Sequence, residues 1–346
     1  MRLKSVLFAI ALQSTVAVWA ADGDMFTAKT AEGVDMTFTV ISEENKTCKV
    51  GRKPEPMVVA YASIDRYTSG SITIPATVNG YTVTKVGDFA LLQCGSLTSV
   101  NIPSTVTTIG ANALGWCSGL VSINIPSSVT TIGERAFEAC SRLTSITIPA
   151  NVTNIGMMPF FGCLALKSIV VSEDNGQYDS RGGCNAIIET ETNELIAGCD
   201  YTVIPDDVTR IGSRALSGCQ GLTSITIPAS VRYIGDEAFS LCYQLQEVVS
   251  LITVPSAVDI PDGWALYHPV ALYVPQGCVE AYRAASGWQG AFSYIAESDD
   301  SHVAVHAPTA APRGEQAVYS LDGRKIKTPQ AVSRSVYIEN GRKVLR

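Results

Sequence analysis

The sequence predicts a mostly-β solenoid of 23-residue repeats, and three periodic features predict it. Ile-Pro recurs at Pro103, Pro126 and Pro149, then at Pro205 and Pro228. Glycine recurs at Gly87, Gly110, Gly133, Gly156, Gly212 and Gly235. Cysteine recurs at Cys94, Cys117, Cys140, Cys163, Cys219 and Cys242. A fixed period of this size marks coils that stack and bury one another's apolar sides. The step from Pro149 to Pro205 is 56 residues, so one coil carries about ten extra residues before the register resumes.

Residues 1–20 read as a signal peptide. Arg2 and Lys4 form a charged start, residues 6–12 an apolar run, and Val18, Trp19 and Ala20 the cleavage site. The run is too short to span a bilayer, and no later stretch qualifies. Residues 21–70 are expected to cap the solenoid. Val34, Met36, Phe38 and Val40 alternate with Asp35, Thr37 and Thr39, and a polar turn at residues 43–46 leads to a second strand through Cys48 and Val50. Such a capping β-hairpin gives a terminal coil its solubility.

Residues 71–260 are the repeats. Ile146 and Ile148 flank Thr147, so they face one side of a short strand. Pro149 ends that strand because it has no N–H to donate. Val152 and Ile155 start a second extended piece, and Gly156 turns the chain where a Cβ would clash. Ala136, Phe137 and Cys140 are spaced to share one face of a short helical turn. About eight such coils make a body roughly 40 Å long.

An insertion near 172–200 interrupts the repeats. Residues 185–189 and 194–198 read as a hairpin, expected to stand as a rigid knob. It should fold against the coil where Met157, Met158 and Phe161 replace polar residues. A two-residue turn at Glu191 and Thr192 sets Cys184 opposite Cys199, within reach of a disulfide. The same register sets Glu189 opposite Glu194, which is repulsive. Residues 261–297 form the C-terminal cap: a degenerate strand at 270–275, a short helix from Val279, then Trp288 and Phe292 closing the core. Residues 298–316, rich in Ala, Pro, Ser and Asp, read as a linker. Residues 317–346 form a separate β unit, with Asp322-Gly323 and Asn340-Gly341 between apolar runs as hairpin turns.

The in-register Ile-Pro, Val-Thr-x-Ile-Gly and Ala-Phe-x-x-Cys units, with the insertion from Cys184 to Cys199, resemble the BspA-like group of bacterial leucine-rich repeats. The resemblance spans roughly residues 25–295. It implies a leucine-rich-repeat solenoid and a secreted or outer-surface protein of a Gram-negative gut or oral bacterium. It also implies adhesion to host matrix proteins or other cells, with no fixed binding motif to carry over. Residues 317–346 resemble the C-terminal sorting tail of type IX secretion cargo, although Ser335 stands where that tail has Gly before Val-Tyr-Ile. That resemblance implies passage through the outer membrane and removal of the tail.

Little in the chain points to chemistry. The three histidines, His268, His302 and His306, lie outside the repeats, which argues against Ser/His/Asp, Cys/His and His-based zinc sites there. The glycines come one per coil, unlike a phosphate loop. Glu134, Asp236 and Glu237 sit at variable surface positions and single out no catalytic pair. The oxygen-rich residues 173–179 lack the spacing of a calcium loop and read as a polar turn. No catalytic residue, cofactor or metal is therefore expected. Removing Arg2 and Lys4 takes the formal charge from −7 to −9, which argues against nucleic acid and anionic membranes as partners. The six periodic cysteines should stack as a ladder of buried free thiols.

The outward strand positions form the candidate binding face: Thr98, Ser99, Asn101, Ser122, Asn124, Thr144, Ser145, Thr147, Lys167, Thr223 and Thr226. The face is small, hydroxyl-rich and nearly uncharged. Threonine suits an exposed strand in its own right, and a regular polar sheet also suits a partner. The expected function is that of a monomeric surface protein binding a host or bacterial protein. The alternatives are a glycan-binding module for nutrient capture, with Trp116 and Tyr233 as isolated aromatic candidates, and a non-binding spacer.

Overall fold

The computed structural model describes residues 21–52, 62–261 and 264–299, and the backbone of four short strands beyond them. The signal-like residues 1–20 and most of the expected linker lie outside the described residues.

Two short strands per coil generate the architecture. The front strands are Gly70–Thr73, Leu97–Asn101, Ser145–Ile148, Ser168–Val171, Ser224–Ile227, Glu247–Ser250, Ala271–Val274 and Tyr294–Glu297. They pair in parallel with the neighbouring coil, Ile146 beside Ile169 and Ile225 beside Val248. The back strands are shorter, and Val86, Ile109, Ile132 and Ile155 stack in one parallel ladder. Between the two sheets Ile146, Ile148, Val152 and Ile132 are buried. The solenoid has about ten turns, more than the eight read from the repeats. The difference arises partly because Glu247–Ser250, Ala271–Val274 and Tyr294–Glu297 continue the front sheet past the last Ile-Pro unit.

The third corner of each coil is not helical. Ala136, Phe137 and Cys140 are buried, as their spacing requires. However, Arg135 and Ala139 are left-handed, at φ 51° and 53°. The N–H groups of Arg135, Phe137 and Ala139 donate to the carbonyls of Met157, Pro159 and Phe161 in the next coil. A helix would spend those donors internally, whereas this corner spends them between coils. The left-handed positions repeat at Phe89, Asn112, Arg135, Met158, Arg214 and Glu237. Each costs roughly 1–2 kcal/mol in a non-glycine residue, which the bonds between coils offset.

The N-terminal cap is a three-stranded antiparallel unit, Met25–Lys29, Asp35–Ser42 and Thr47–Val50. The alternation placed Met36, Phe38 and Val40 in the core correctly. Thr47–Val50 then pairs in parallel with Tyr81–Val86, joining the cap to the back sheet. At the other end the helix Val279–Ala284 lays Tyr282 over the core. The Tyr282 hydroxyl donates to the Ile252 carbonyl at 2.8 Å and pairs with Ser250. Trp264, Trp288 and Phe292 fill the space beneath. In the tail the backbone strands Val318–Tyr319, Lys325–Ile326, Val336–Glu339 and Arg342–Leu345 form an antiparallel sheet of their own.

The insertion is a partition rather than a knob. Its strands Ala186–Glu189 and Glu194–Gly198 are antiparallel, and Leu195 pairs in parallel with Ile211, so the hairpin continues into the back ladder. Ile187, Ala197 and Cys199 pack into the N-terminal core, while Cys184, Ala186, Ile188 and Leu195 pack into the C-terminal one. The hairpin is thus buried on both sides.

Glu189 does face Glu194, but the register shifts between Ile187 and Ile188. This bulge takes Cys184 out of opposition to Cys199, and both are free thiols. The proposed disulfide is therefore corrected: Cys199 instead donates to the Asn185 carbonyl at 3.6 Å, and Cys184 to that of Ala186 at 3.6 Å.

The insertion docks on the preceding coil through Asn175, whose Nδ2 donates to the carbonyls of Pro149 and Val152 at 2.8 and 3.0 Å. Of the apolar residues expected under it, Met158 is buried but Met157 stays 48% exposed. The Phe161 ring lies over Gly218 in a later coil instead.

Candidate interaction surface

All eleven residues of the candidate face lie on the outward side of the front strands or their lead-in turns, exposed or half-buried. They do not form one sheet. Thr98, Ser99, Asn101, Ser122, Asn124, Thr144, Ser145, Thr147 and Lys167 belong to the coils before the insertion, joined in part by a single bridge between Asn101 and Asn124. Thr223 and Thr226 belong to the block after it, where Ser224–Ile227 starts a new front sheet. Lys167 stands at the divide, its Nζ 5.9 Å from the centre of the Tyr201 ring.

Hydroxyl groups on the two sides are used differently. On the back, Thr107, Thr130 and Thr153 each donate to the carbonyl 23 residues earlier, at 3.2–3.5 Å. Ser128 and Ser230 donate to Val106 and Val208 at 2.6 Å. These groups tie coil to coil, replacing bonds to water with bonds inside the fold. On the front, Ser99 donates to Ser71 at 2.8 Å and Asn101 to Thr73 at 3.3 Å. Among the described residues, the side chains of Thr98, Ser122, Asn124, Thr144, Ser145, Thr147, Thr223 and Thr226 make no hydrogen bond to another residue. Their donors and acceptors are open to a ligand.

The cysteine ladder has a structural use that composition did not reveal. The thiols of Cys117, Cys140, Cys163 and Cys242 each donate to a carbonyl 26 residues earlier, at 3.1–3.3 Å. Each therefore bridges to the coil before it. Burial pushes Cys94, Cys163 and Cys242 up to about 12 and raises Cys117, Cys140 and Cys219 well above the ordinary value. A nucleophile or metal ligand needs the opposite, a stabilised thiolate.

Of the two aromatic candidates, Trp116 is exposed at a left-handed position. Tyr233 is half-buried, with the Arg210 guanidinium 4.0 Å from its ring centre. Sequence reading missed a richer aromatic group near the C-terminal end. Tyr243 and Tyr267 lie 6.5 Å apart on neighbouring coils, and Tyr273 and Tyr294 lie 6.4 Å apart on neighbouring front strands. The signal was present as a column, but Tyr267 and Tyr294 fall beyond the regular repeats and could not be aligned with it.

The BspA type leucine rich repeat region matches in six copies over residues 65–181 and 194–260, more than half of the chain. The chain belongs to this family. The gap between the matched segments holds the first strand of the partition hairpin, where the BspA type period breaks. The chain is also similar to solved structures. A leucine-rich repeat protein from Eubacterium ventriosum is 19% identical, with 81% of this chain and 80% of that one covered and a TM-score of 0.50. A leucine rich cell surface protein from Faecalibacterium prausnitzii is 22% identical over 80% and 96%, with a TM-score of 0.34. A leucine-rich repeat protein from Bacteroides ovatus is 20% identical over 79% and 100%, with a TM-score of 0.31. No curated protein matches the chain.

Proposed function

We propose that this BspA type protein is secreted or held on the outer surface of a Gram-negative bacterium and binds a host or microbial protein through its front face. The observation that carries the reading is the division of labour between hydroxyls. On the back, Thr107, Thr130, Thr153, Ser128 and Ser230 spend their hydroxyls in coil-to-coil bonds, while on the front most of the array is unpaired. A row of unpaired side chains on a rigid parallel sheet offers many weak hydrogen bonds at little ordering cost. The signal-like residues 1–20 support export, and the hairpins of residues 317–346 support type IX sorting. No helix among the described residues is long and apolar enough to cross a membrane.

The test is binding of the mature chain to immobilised host matrix proteins. The double variant Thr144→Lys, Thr147→Lys places two charges on the front, and the matched variant Thr107→Lys, Thr130→Lys places two on the back. Front substitution should weaken binding about tenfold or more, and back substitution should leave it unchanged. Equal binding by both variants would refute the front-face reading.

A further inference from the structure

We propose that the last coils carry a binding site for neutral saccharides, built on Tyr243, Tyr267, Tyr273 and Tyr294. It uses residues outside the candidate protein-binding face and stands or falls independently of it.

Tyr243, Tyr267 and Tyr294 are 54%, 64% and 58% exposed, an unusual cost in water for large rings unless something covers them. They are not scattered. Tyr243 leads into Glu247–Ser250 and Tyr267 into Ala271–Val274, so the first pair sits at matching places on adjacent coils. In the front sheet Ala271 pairs with Tyr294 and Tyr273 with Ala296. Tyr273 and Tyr294 are therefore diagonal neighbours on one outward face, each beside an alanine.

The surroundings select the ligand. No Lys or Arg lies within residues 243–250, 267–275 or 292–298. The segments that carry the rings therefore bring no Lys or Arg to an anionic polymer. The polar groups nearby include the amides of Gln244 and Gln246, the His268 imidazole, whose Nε2 lies 2.6 Å from the Leu245 carbonyl, and the carboxylate of Glu247, which shares an outward row with Ala271 and Tyr294. The hydroxyls of Tyr243, Tyr267 and Tyr294 have no hydrogen-bond partner among the described residues.

A pyranose presents a C–H face to the negative face of an aromatic ring and hydroxyls around its edge. Amides and a carboxylate can pair with those hydroxyls as both donors and acceptors. An apolar protein partner would instead call for aliphatic anchors around the rings, and Ala271 and Ala296 are too short to supply them. The rings form two pairs, each spanning successive coils, so each pair favours an oligomer lying along the solenoid axis over a single sugar.

The test is a titration of the full chain with glucose, mannose and N-acetylglucosamine oligomers, read by tyrosine fluorescence and calorimetry. At least one neutral oligomer should bind. The double variant Tyr267→Ala, Tyr294→Ala should weaken it about tenfold or more with an unchanged thermal transition. Tyr267→Phe should retain most of the affinity, since it keeps the stacking face. The front-face variant Thr144→Lys, Thr147→Lys should not alter it. If the double variant melts early, Tyr267→Ala alone is read in its place. Absence of binding to every neutral oligomer at millimolar concentration overturns the proposal, as does binding that survives loss of the rings. Preference for a sulfated polymer also overturns it.

Discussion

A Cβ at Gly133 would stand 2.5 Å from the amide nitrogen of Ala111 and 2.5 Å from the carbonyl carbon of Gly110. The same near-contact recurs at Gly156 against Glu134 and at Gly235 against Ser213. These glycines do not serve a left-handed turn; they set how closely coils can stack. Gly133→Ala should therefore cost about 1–3 kcal/mol, because backbone must move. Gly176→Ala, with nothing within 4 Å of the new methyl, should stay within about 0.5 kcal/mol. The midpoint of urea unfolding compares the two. The thiols make a second prediction. Unfolded cysteine ionises near pH 8.5, whereas burial holds Cys94, Cys163, Cys184, Cys199 and Cys242 protonated up to about 12. The folded chain thus binds more protons than the unfolded one above that pH. The stability contributed by the buried thiols is complete below about pH 8.5 and is lost as pH rises toward 12, by up to about 1.4 kcal/mol per pH unit for each thiol. Urea midpoints in reducing buffer should fall steadily from pH 8.5 to 10, and Cys117→Ala with Cys140→Ala should flatten that fall. A midpoint constant over this window would contradict the burial of the ladder.

At the scale of elements, the hairpin between the two cores governs how the molecule comes apart. Stacked coils contact only their neighbours, so stability is a sum of coil and interface contributions, and a weak interface splits the transition. Ile187 reaches the N-terminal core from a strand whose other residues, Ala186 and Ile188, reach the C-terminal one. Truncation by Ile187→Ala should cost about 2–4 kcal/mol and uncouple the halves. Trp264 and Trp288 are buried in the C-terminal core and Trp116 is exposed in the N-terminal half, so in a Trp116→Phe background fluorescence follows the C-terminal half while far-ultraviolet circular dichroism follows both. The two probes should coincide in the parent and separate in the variant. Much of this was legible from residues. The Ile-Pro strands, the alternation at Met36, Phe38 and Val40, and the hairpin at 185–198 all follow from local periodicity. The bulge beside Ile187 did not, because a register shift is decided by which core each side chain can reach. The left-handed corner was also hidden, because the spacing of Ala136, Phe137 and Cys140 fits a helical turn equally well. The front face was legible as columns, whereas its unpaired hydroxyls were not, since pairing depends on which neighbour each coil presents.

Across the whole molecule, two ends and a tail must be reconciled with a stack of short parallel sheets. A solenoid ends in strand edges that invite unwanted pairing. At the N-terminal end the Glu32 carboxylate accepts from the Thr73 amide at 3.0 Å, occupying a donor on the first front strand. At the other end Tyr294–Glu297 pairs with Ala271–Val274 and begins no further coil among the described residues. The tail strands satisfy one another: Val318–Tyr319 lies between Lys325–Ile326 and Val336–Glu339, which pairs with Arg342–Leu345. Among the described residues the tail strands form a sheet of their own, the arrangement expected of a unit that can be detached. Deleting residues 300–346 should leave the thermal transition of the solenoid within about 2 °C of the full chain, since a ΔΔG near zero moves the midpoint little. In the bacterium the same deletion should stop delivery to the outer surface and leave the chain inside the envelope, as read by protease accessibility on intact cells. A transition lost on truncation would show that the tail completes the fold. Normal surface exposure of the truncated chain would show that the tail is not a sorting signal, with the independence of the solenoid left intact.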